Sequence, residues 1–122
     1  MRQLTIDGKT IEDNGDCFVI AEIGHNHQGS LETCMEMFKE ARDCGASAVK
    51  LQKRNNRALY TEAGYNKPYD NPNSYGPTYG EHREALEFGW DEYKTLGDYA
   101  RELGITLFST AFDFDSADFL AK

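Results

Sequence analysis

Short apolar runs recur along this chain, separated by stretches in which apolar residues return every three or four positions. Leu4-Thr5-Ile6-Asp7-Gly8-Lys9-Thr10-Ile11 alternates around Asp7-Gly8, the dipeptide favoured in a tight type I′ turn, and predicts a β-hairpin. After Asn14-Gly15-Asp16, the run Phe18-Val19-Ile20-Ala21-Glu22-Ile23 reads as a strand. Leu31, Met35, Phe38 and Ala41 then fall at helical spacing, with Ser30 placed to cap a helix from about Leu31 to Cys44 and Gly45 to end it. Ala46 to Gln52 forms a second strand. Asp91 caps a second helix with an inner stripe of Leu96, Tyr99, Ala100 and Leu103, ending at Gly104. A third strand follows at Ile105 to Thr110, and a third helix begins near Asp115 or Ser116.

Alternating strands and helices predict a parallel sheet. Residues 53–89 break the rhythm with a long connection rich in Asn, Gly, Pro and Tyr. It leaves the C-terminal end of the second strand, where parallel α/β folds bind ligands, and is expected to cover a substrate. The pattern stops at Phe119-Leu120-Ala121-Lys122 without a helix-ending signal. Three parallel strands also leave two bare edges, so the expectation is the front part of a larger barrel or open sheet.

Two charges interrupt this apolar pattern. Glu22 and Lys50 each lie inside a strand, near its C-terminal end. Alternation puts Glu22 on one face with Phe18 and Ile20, and Lys50 on one face with Ala46, Ala48 and Gln52. One reading is a structural ion pair between neighbouring strands. The other is an active-site floor, with a carboxylate to handle protons or hydroxyls and an ammonium to hold an anion. Gln52 would extend that floor toward the mouth, and Thr110, on one face with Thr106 and Phe108, could add a hydroxyl or simply cap its own turn.

The loop Gly24-His25-Asn26-His27-Gln28-Gly29 holds two imidazoles. Its spacing fits a loop-ordering role for Asn26 and His27 better than a metal site, and it lacks the glycine spacing of dinucleotide or P-loop binders. Glu84 and Glu87 read as a solvated face, and Tyr79-Gly80-Glu81-His82-Arg83 as surface. Met35 and Met37 read as ordinary helix residues.

Composition narrows the partners. The 122 residues are 39% hydrophobic and 28% charged, with a formal net charge of -8. That balance is globular and argues against nucleic acid or an anionic membrane, leaving anions to bind only where local cations such as Lys50 prevail. No apolar run approaches the roughly 20 residues of a membrane span, and the N-terminus lacks the apolar core of a secretory signal. Cys17, Cys34 and Cys44 have no metal-ligand spacing and read as reduced packing residues. A cytoplasmic location is expected.

Four motifs in order carry a resemblance. Ile20-Ala21-Glu22-Ile23-Gly24 followed by Asn26-His27-x-Gly29, then Ala48-Val49-Lys50-Leu51-Gln52, then Phe108-Ser109-Thr110-x-Phe112-Asp113 resemble the N-terminal part of the sialic acid synthase (N-acetylneuraminate synthase) family. Thr78-Tyr79-Gly80-Glu81-His82-Arg83 with Leu86-Glu87-Phe88 is similar to a version of that family's inter-strand loop. The likeness runs from about Phe18 to the end.

It implies a TIM (β/α)8 barrel followed by an antifreeze-like domain, working as a domain-swapped homodimer. This chain would carry the opening β-hairpin (residues 1–16) and about the first three βα units (residues 17–122), without the antifreeze-like domain. The implied reaction condenses phosphoenolpyruvate with N-acetylmannosamine or a related N-acyl sugar, giving a nonulosonic acid and phosphate. It uses a divalent metal, Mn2+ or Mg2+, whose two histidine ligands belong to later strands, so His25, His27 and His82 are not those ligands. By motif, Lys50 and Thr110 would bind the phosphate and carboxylate of phosphoenolpyruvate. Glu22 would face the sugar as the catalytic carboxylate, with Gln52 beside it. The fragment alone would be inactive. The alternatives are another phosphoenolpyruvate-using barrel synthase or a non-catalytic barrel fragment.

Overall fold

In the computed structural model, which describes residues 1–122, Asp7 and Gly8 take positive φ values of 48° and 77°. That geometry is what a type I′ turn needs, and it folds β1 (Gln3–Ile6) antiparallel onto β2 (Lys9–Glu12). The hairpin is tied to one end of a second sheet. Lys9 Nζ donates to the Ser47 carbonyl at 3.1 Å, and Thr106 Oγ1 donates to Asp7 Oδ2 at 2.6 Å.

That second sheet is parallel, in the order β3 (Ile20–Gly24), β4 (Ala48–Lys53), β5 (Thr106–Ala111). Its register sets Glu22 beside Lys50 beside Phe108, and Gln52 beside Thr110. β3 slips register between Glu22 and Gly24, where Gly24 adopts φ 56° and turns the chain out of the sheet.

One face of the sheet is covered by helices. α1 (Leu31–Asp43) starts where Ser30 Oγ accepts from Thr33 N, and its Cys34 and Phe38 are fully buried. Between β4 and the next long helix lie three short helices, α2 (Asn56–Leu59), α3 (Glu62–Tyr65) and α4 (Tyr79–Glu84). α5 (Trp90–Leu103) contributes Leu96 and Ala100, and closes at Gly104 with φ 71°. α6 (Phe114–Leu120) sets Phe119 edge-on against Trp90 and Tyr93 of α5. Ile23, Val49 and Leu51 of the sheet meet Cys34, Phe38, Leu96, Ala100, Phe88 and Ile105 in one core. Burying each of its larger side chains is worth roughly 1.5–3 kcal/mol.

The other face is largely open within these 122 residues. Ile20, Glu22 and Phe108 are exposed there and Lys50 is half-buried, while Ala48 on the same face is fully buried. No helix is long and apolar enough to cross a membrane.

Other expectations also change. Asp91 does not cap α5. Gly89 is the N-cap, and Glu92 Oε2 accepts from its N–H at 3.0 Å, which starts the helix at Trp90. α6 begins at Phe114 because Asp113 accepts from Ser116 N. Of the cysteines, all free, Cys34 packs in the core while Cys17 and Cys44 are exposed. The connection 53–89 is ordered by its three helices and by a close approach to the β3–α1 loop. Gly29, at φ 77°, lies so near the Ala85 carbonyl that a Cβ there would meet its oxygen at 2.3 Å.

Candidate active site at the strand ends

Parallel pairing points the C-terminal ends of β3, β4 and β5 the same way, and the open face brings three of the expected residues together there. Lys50 Nζ lies 2.9 Å from Glu22 Oε2, with side-chain exposures of 31% and 41%. Gln52 Nε2 donates to the other carboxylate oxygen, Glu22 Oε1, at 3.2 Å. One carboxylate thus accepts from an ammonium and an amide. The Phe108 ring flanks Lys50 Nζ at 6.0 Å. Thr110 sits beside Gln52 in register, exposed at the rim, and does not join the Glu22 cluster. Ser109 points to the helix side and meets the Tyr93 hydroxyl at 3.2 Å.

An ammonium with two remaining N–H donors facing open space can hold an anion. The carboxylate beside it can accept a hydroxyl or relay a proton.

Behind this cluster lies a second one that the sequence pattern did not single out. His25 Nε2 is 3.2 Å from Glu87 Oε1, with side-chain exposures of only 8% and 9%. Lys53 Nζ reaches Glu87 Oε2 at 3.1 Å and the Phe88 carbonyl at 2.8 Å. Burial pushes the Glu87 carboxyl up, but hydrogen bonding from His25 and the Lys53 ammonium outweigh it and hold it below the usual carboxylate range. Glu87 is therefore not part of a solvated face, although Glu84 is exposed.

The loop-ordering role of Asn26 and His27 holds. Asn26 Nδ2 donates to the Ile23 carbonyl at 2.9 Å, and His27 Nδ1 accepts from Gly29 N at 3.0 Å. The His27 ring is buried and stacked 4.1 Å from Phe88. Its pKa falls to about 4, chiefly through burial, with His25 adding to the effect and Glu87 opposing it. His82 is not surface decoration. It is buried, takes the Tyr75 N–H on Nδ1 at 3.2 Å and packs against Tyr69. Arg83 donates to the Tyr79 hydroxyl from Nε and Nη2 at 3.0 and 2.9 Å.

Arg54 links the two clusters. Its Nη2 donates to Gln52 Oε1 at 2.8 Å, and its Nη1 lies 3.2 Å from His25 Nδ1. The available signal was spacing: Lys50, Gln52 and Arg54 follow one another at intervals of two. No group of three or more His, Cys, Asp or Glu side chains gathers in a way that could hold a metal ion.

The chain is similar to several known synthases. N-acetylneuraminate-9-phosphate synthase of Mus musculus is 39% identical over 113 residues, covering 93% of this chain and 32% of the relative. N,N'-diacetyllegionaminic acid synthase of Legionella pneumophila is 37% identical over 105 residues, covering 85% of this chain and 30% of the relative. The crystal structure of N-acetylneuraminic acid (sialic acid) synthetase from Leptospira borgpetersenii in complex with citrate superposes with a TM-score of 0.76 at 28% identity, covering 98% of this chain and 38% of that one. The chain spans about a third of the length of the curated relatives it matches. The NeuB family model matches residues 37–122, so the chain belongs to the NeuB family.

Proposed function

We propose that these residues are the hairpin and first three βα units of a TIM (β/α)8 barrel that condenses phosphoenolpyruvate with N-acetylmannosamine or a related N-acyl sugar. The observation that carries this reading is the Lys50–Glu22–Gln52 cluster at the C-terminal ends of parallel strands. Ligands of such sheets bind at that end. The relatives named above are synthases of acids of this kind.

In this reading Lys50 turns part of its charge from Glu22 to the anionic phosphoenolpyruvate, with Thr110 at the rim adding a hydroxyl. Glu22, still held by Gln52, serves the sugar side as proton handler or hydroxyl acceptor. C3 of phosphoenolpyruvate forms a bond to the aldehyde carbon of the open-chain sugar, whose oxygen takes a proton. Water adds at C2 and loses a proton, the C2–O bond to phosphate breaks, and the remaining C2 hydroxyl becomes the ketone as its proton leaves. The overall change is phosphoenolpyruvate, aldehyde and water to a 2-keto acid and inorganic phosphate.

The family resemblance also implies a divalent metal, Mn2+ or Mg2+. The residues here do not fit it, since they form no cluster of candidate ligands and both Glu22 oxygens already accept hydrogen bonds. Its ligands belong with residues outside these 122, and no step above passes through it. A homodimer in the cytoplasm goes with the same reading.

The test is phosphate release by the full-length polypeptide from phosphoenolpyruvate, across a panel of N-acyl amino sugars. Release should depend on the sugar, and Lys50→Ala should raise the phosphoenolpyruvate requirement roughly tenfold or more, as loss of a charged hydrogen bond predicts. An unchanged requirement removes Lys50 from anion binding.

A further inference from the structure

Arg54 is a charged side chain only 8% exposed, and its guanidinium meets no carboxylate. Its partners are Gln52 Oε1 and His25 Nδ1, with the Phe112 ring stacked 3.8 Å from Cζ. A buried guanidinium is costly unless its geometry is put to use.

Hydrogen-bond direction shows what that use is. A guanidinium has donors and no acceptor, so Gln52 must present its carbonyl oxygen to Arg54. The Gln52 amide nitrogen is then left facing Glu22, as seen at 3.2 Å. Without Arg54 the Gln52 oxygen loses its donor, and the amide is held only by its single hydrogen bond to Glu22. The same logic makes His25 Nδ1 an acceptor, so the ring proton sits on Nε2. That atom faces the Gln52 backbone carbonyl at 3.1 Å and Glu87 Oε1 at 3.2 Å.

We propose that Arg54 is a positioning residue for the strand-end site: it holds the Gln52 amide so that Gln52 donates to Glu22, and through His25 Nδ1 it ties the β3–α1 loop to the end of β4. This rests on the reading of Glu22 and Gln52 as sugar-side groups. When Lys50 turns to the anion, Gln52 remains to aim the carboxylate. Arg54 therefore governs turnover and leaves anion binding to Lys50.

The experiment compares full-length wild type with Arg54→Met and Arg54→Lys. Methionine keeps an unbranched stem against Phe112 and offers no donor. Lysine offers an ammonium that cannot match the two-pronged fork. Arg54→Met should lower kcat by roughly tenfold to a hundredfold, the loss of one charged hydrogen bond, with the KM for phosphoenolpyruvate within about twofold. Arg54→Lys should recover part of the loss. Because Arg54 acts through Gln52, the double variant Arg54→Met/Gln52→Ala should be no slower than Gln52→Ala alone. An unchanged kcat, or losses that simply add, would overturn the proposal.

A second readout does not need activity. Nitrogen-15 spectra of labelled glutamine should show the Gln52 side-chain amide as a slowly exchanging pair in wild type and a shifted or faster-exchanging one in Arg54→Met. If that variant does not fold, Arg54→Leu, which also offers no donor, serves, and a Gln52 amide identical in variant and wild type overturns the proposal. A wild type that releases no phosphate but whose Gln52 amide loosens in the variant would sink the condensation reading and leave the positioning role standing.

Discussion

On the open face of the sheet Glu22 and Lys50 remain substantially accessible to solvent, whereas a few residues away His25, Lys53 and Glu87 form an ion-pair cluster that solvent barely reaches. Both clusters are built from a carboxylate and nitrogen donors at similar distances. They differ in what else holds them. Lys53 also donates to the Phe88 carbonyl, and Glu87 also accepts the Arg54 backbone N–H at 3.3 Å, so the buried cluster stitches the 53–89 connection to β4. The open cluster has no backbone partner for Lys50 or Glu22 and joins β3 to β4 only where the strands already pair. Burial turns one set of charges into a structural joint. Exposure leaves the other free to exchange partners with a ligand.

That contrast can be broken by substitution. Glu22→Gln in the full-length polypeptide should cut phosphate release by about 10²–10⁴-fold, the range for removing a proton-handling group, while the fold stays intact. Near-normal turnover would make the open pair structural after all. Glu87→Gln should do the reverse. It leaves Lys53 buried without its counter-charge, so unfolding stability should fall by about 3–5 kcal/mol in thermal or denaturant melts. A variant as stable as wild type would mean that the buried cluster is not a joint.

The residues that alternation and helical spacing could place were legible in the sequence. Asp7-Gly8, the faces of Glu22, Lys50 and Gln52, and the stripes of α1 and α5 follow from local periodicity and turn chemistry, which need no knowledge of distant neighbours. Glu87, His82 and Arg54 were not legible in the same way. Each is polar, and each is buried by partners that periodicity does not place: His25 and Lys53 for Glu87, Tyr69 and Tyr75 of the same connection for His82, Phe112 for Arg54. Charge alone reads as surface until the tertiary partner is known. Gly89 misled for a different reason, because a glycine cap lacks the side chain by which caps are recognised, and the capping hydrogen bond comes from Glu92 instead.

A smaller effect sharpens the same contrast through pH. His27, stacked on Phe88 inside the buried region, titrates at about 4 instead of its usual value near 6.5. Between those two values the unfolded chain binds a proton that the folded chain refuses, so stability rises with pH across the window. The contribution is complete above about pH 6.5 and is lost on acidification toward pH 4, by up to about 3 kcal/mol. Glu87 acts lower on the scale. Its depressed pKa stabilises the fold above the ordinary carboxylate value and is lost only as pH falls through the folded value. His27→Gln, which keeps an acceptor within reach of the Gly29 N–H, should therefore flatten the slope of stability between pH 4 and 6.5 and leave the steeper loss below it. If the slope between pH 4 and 6.5 is the same in His27→Gln as in wild type, His27 is not held neutral by the fold, and the buried region is wetter than its packing implies.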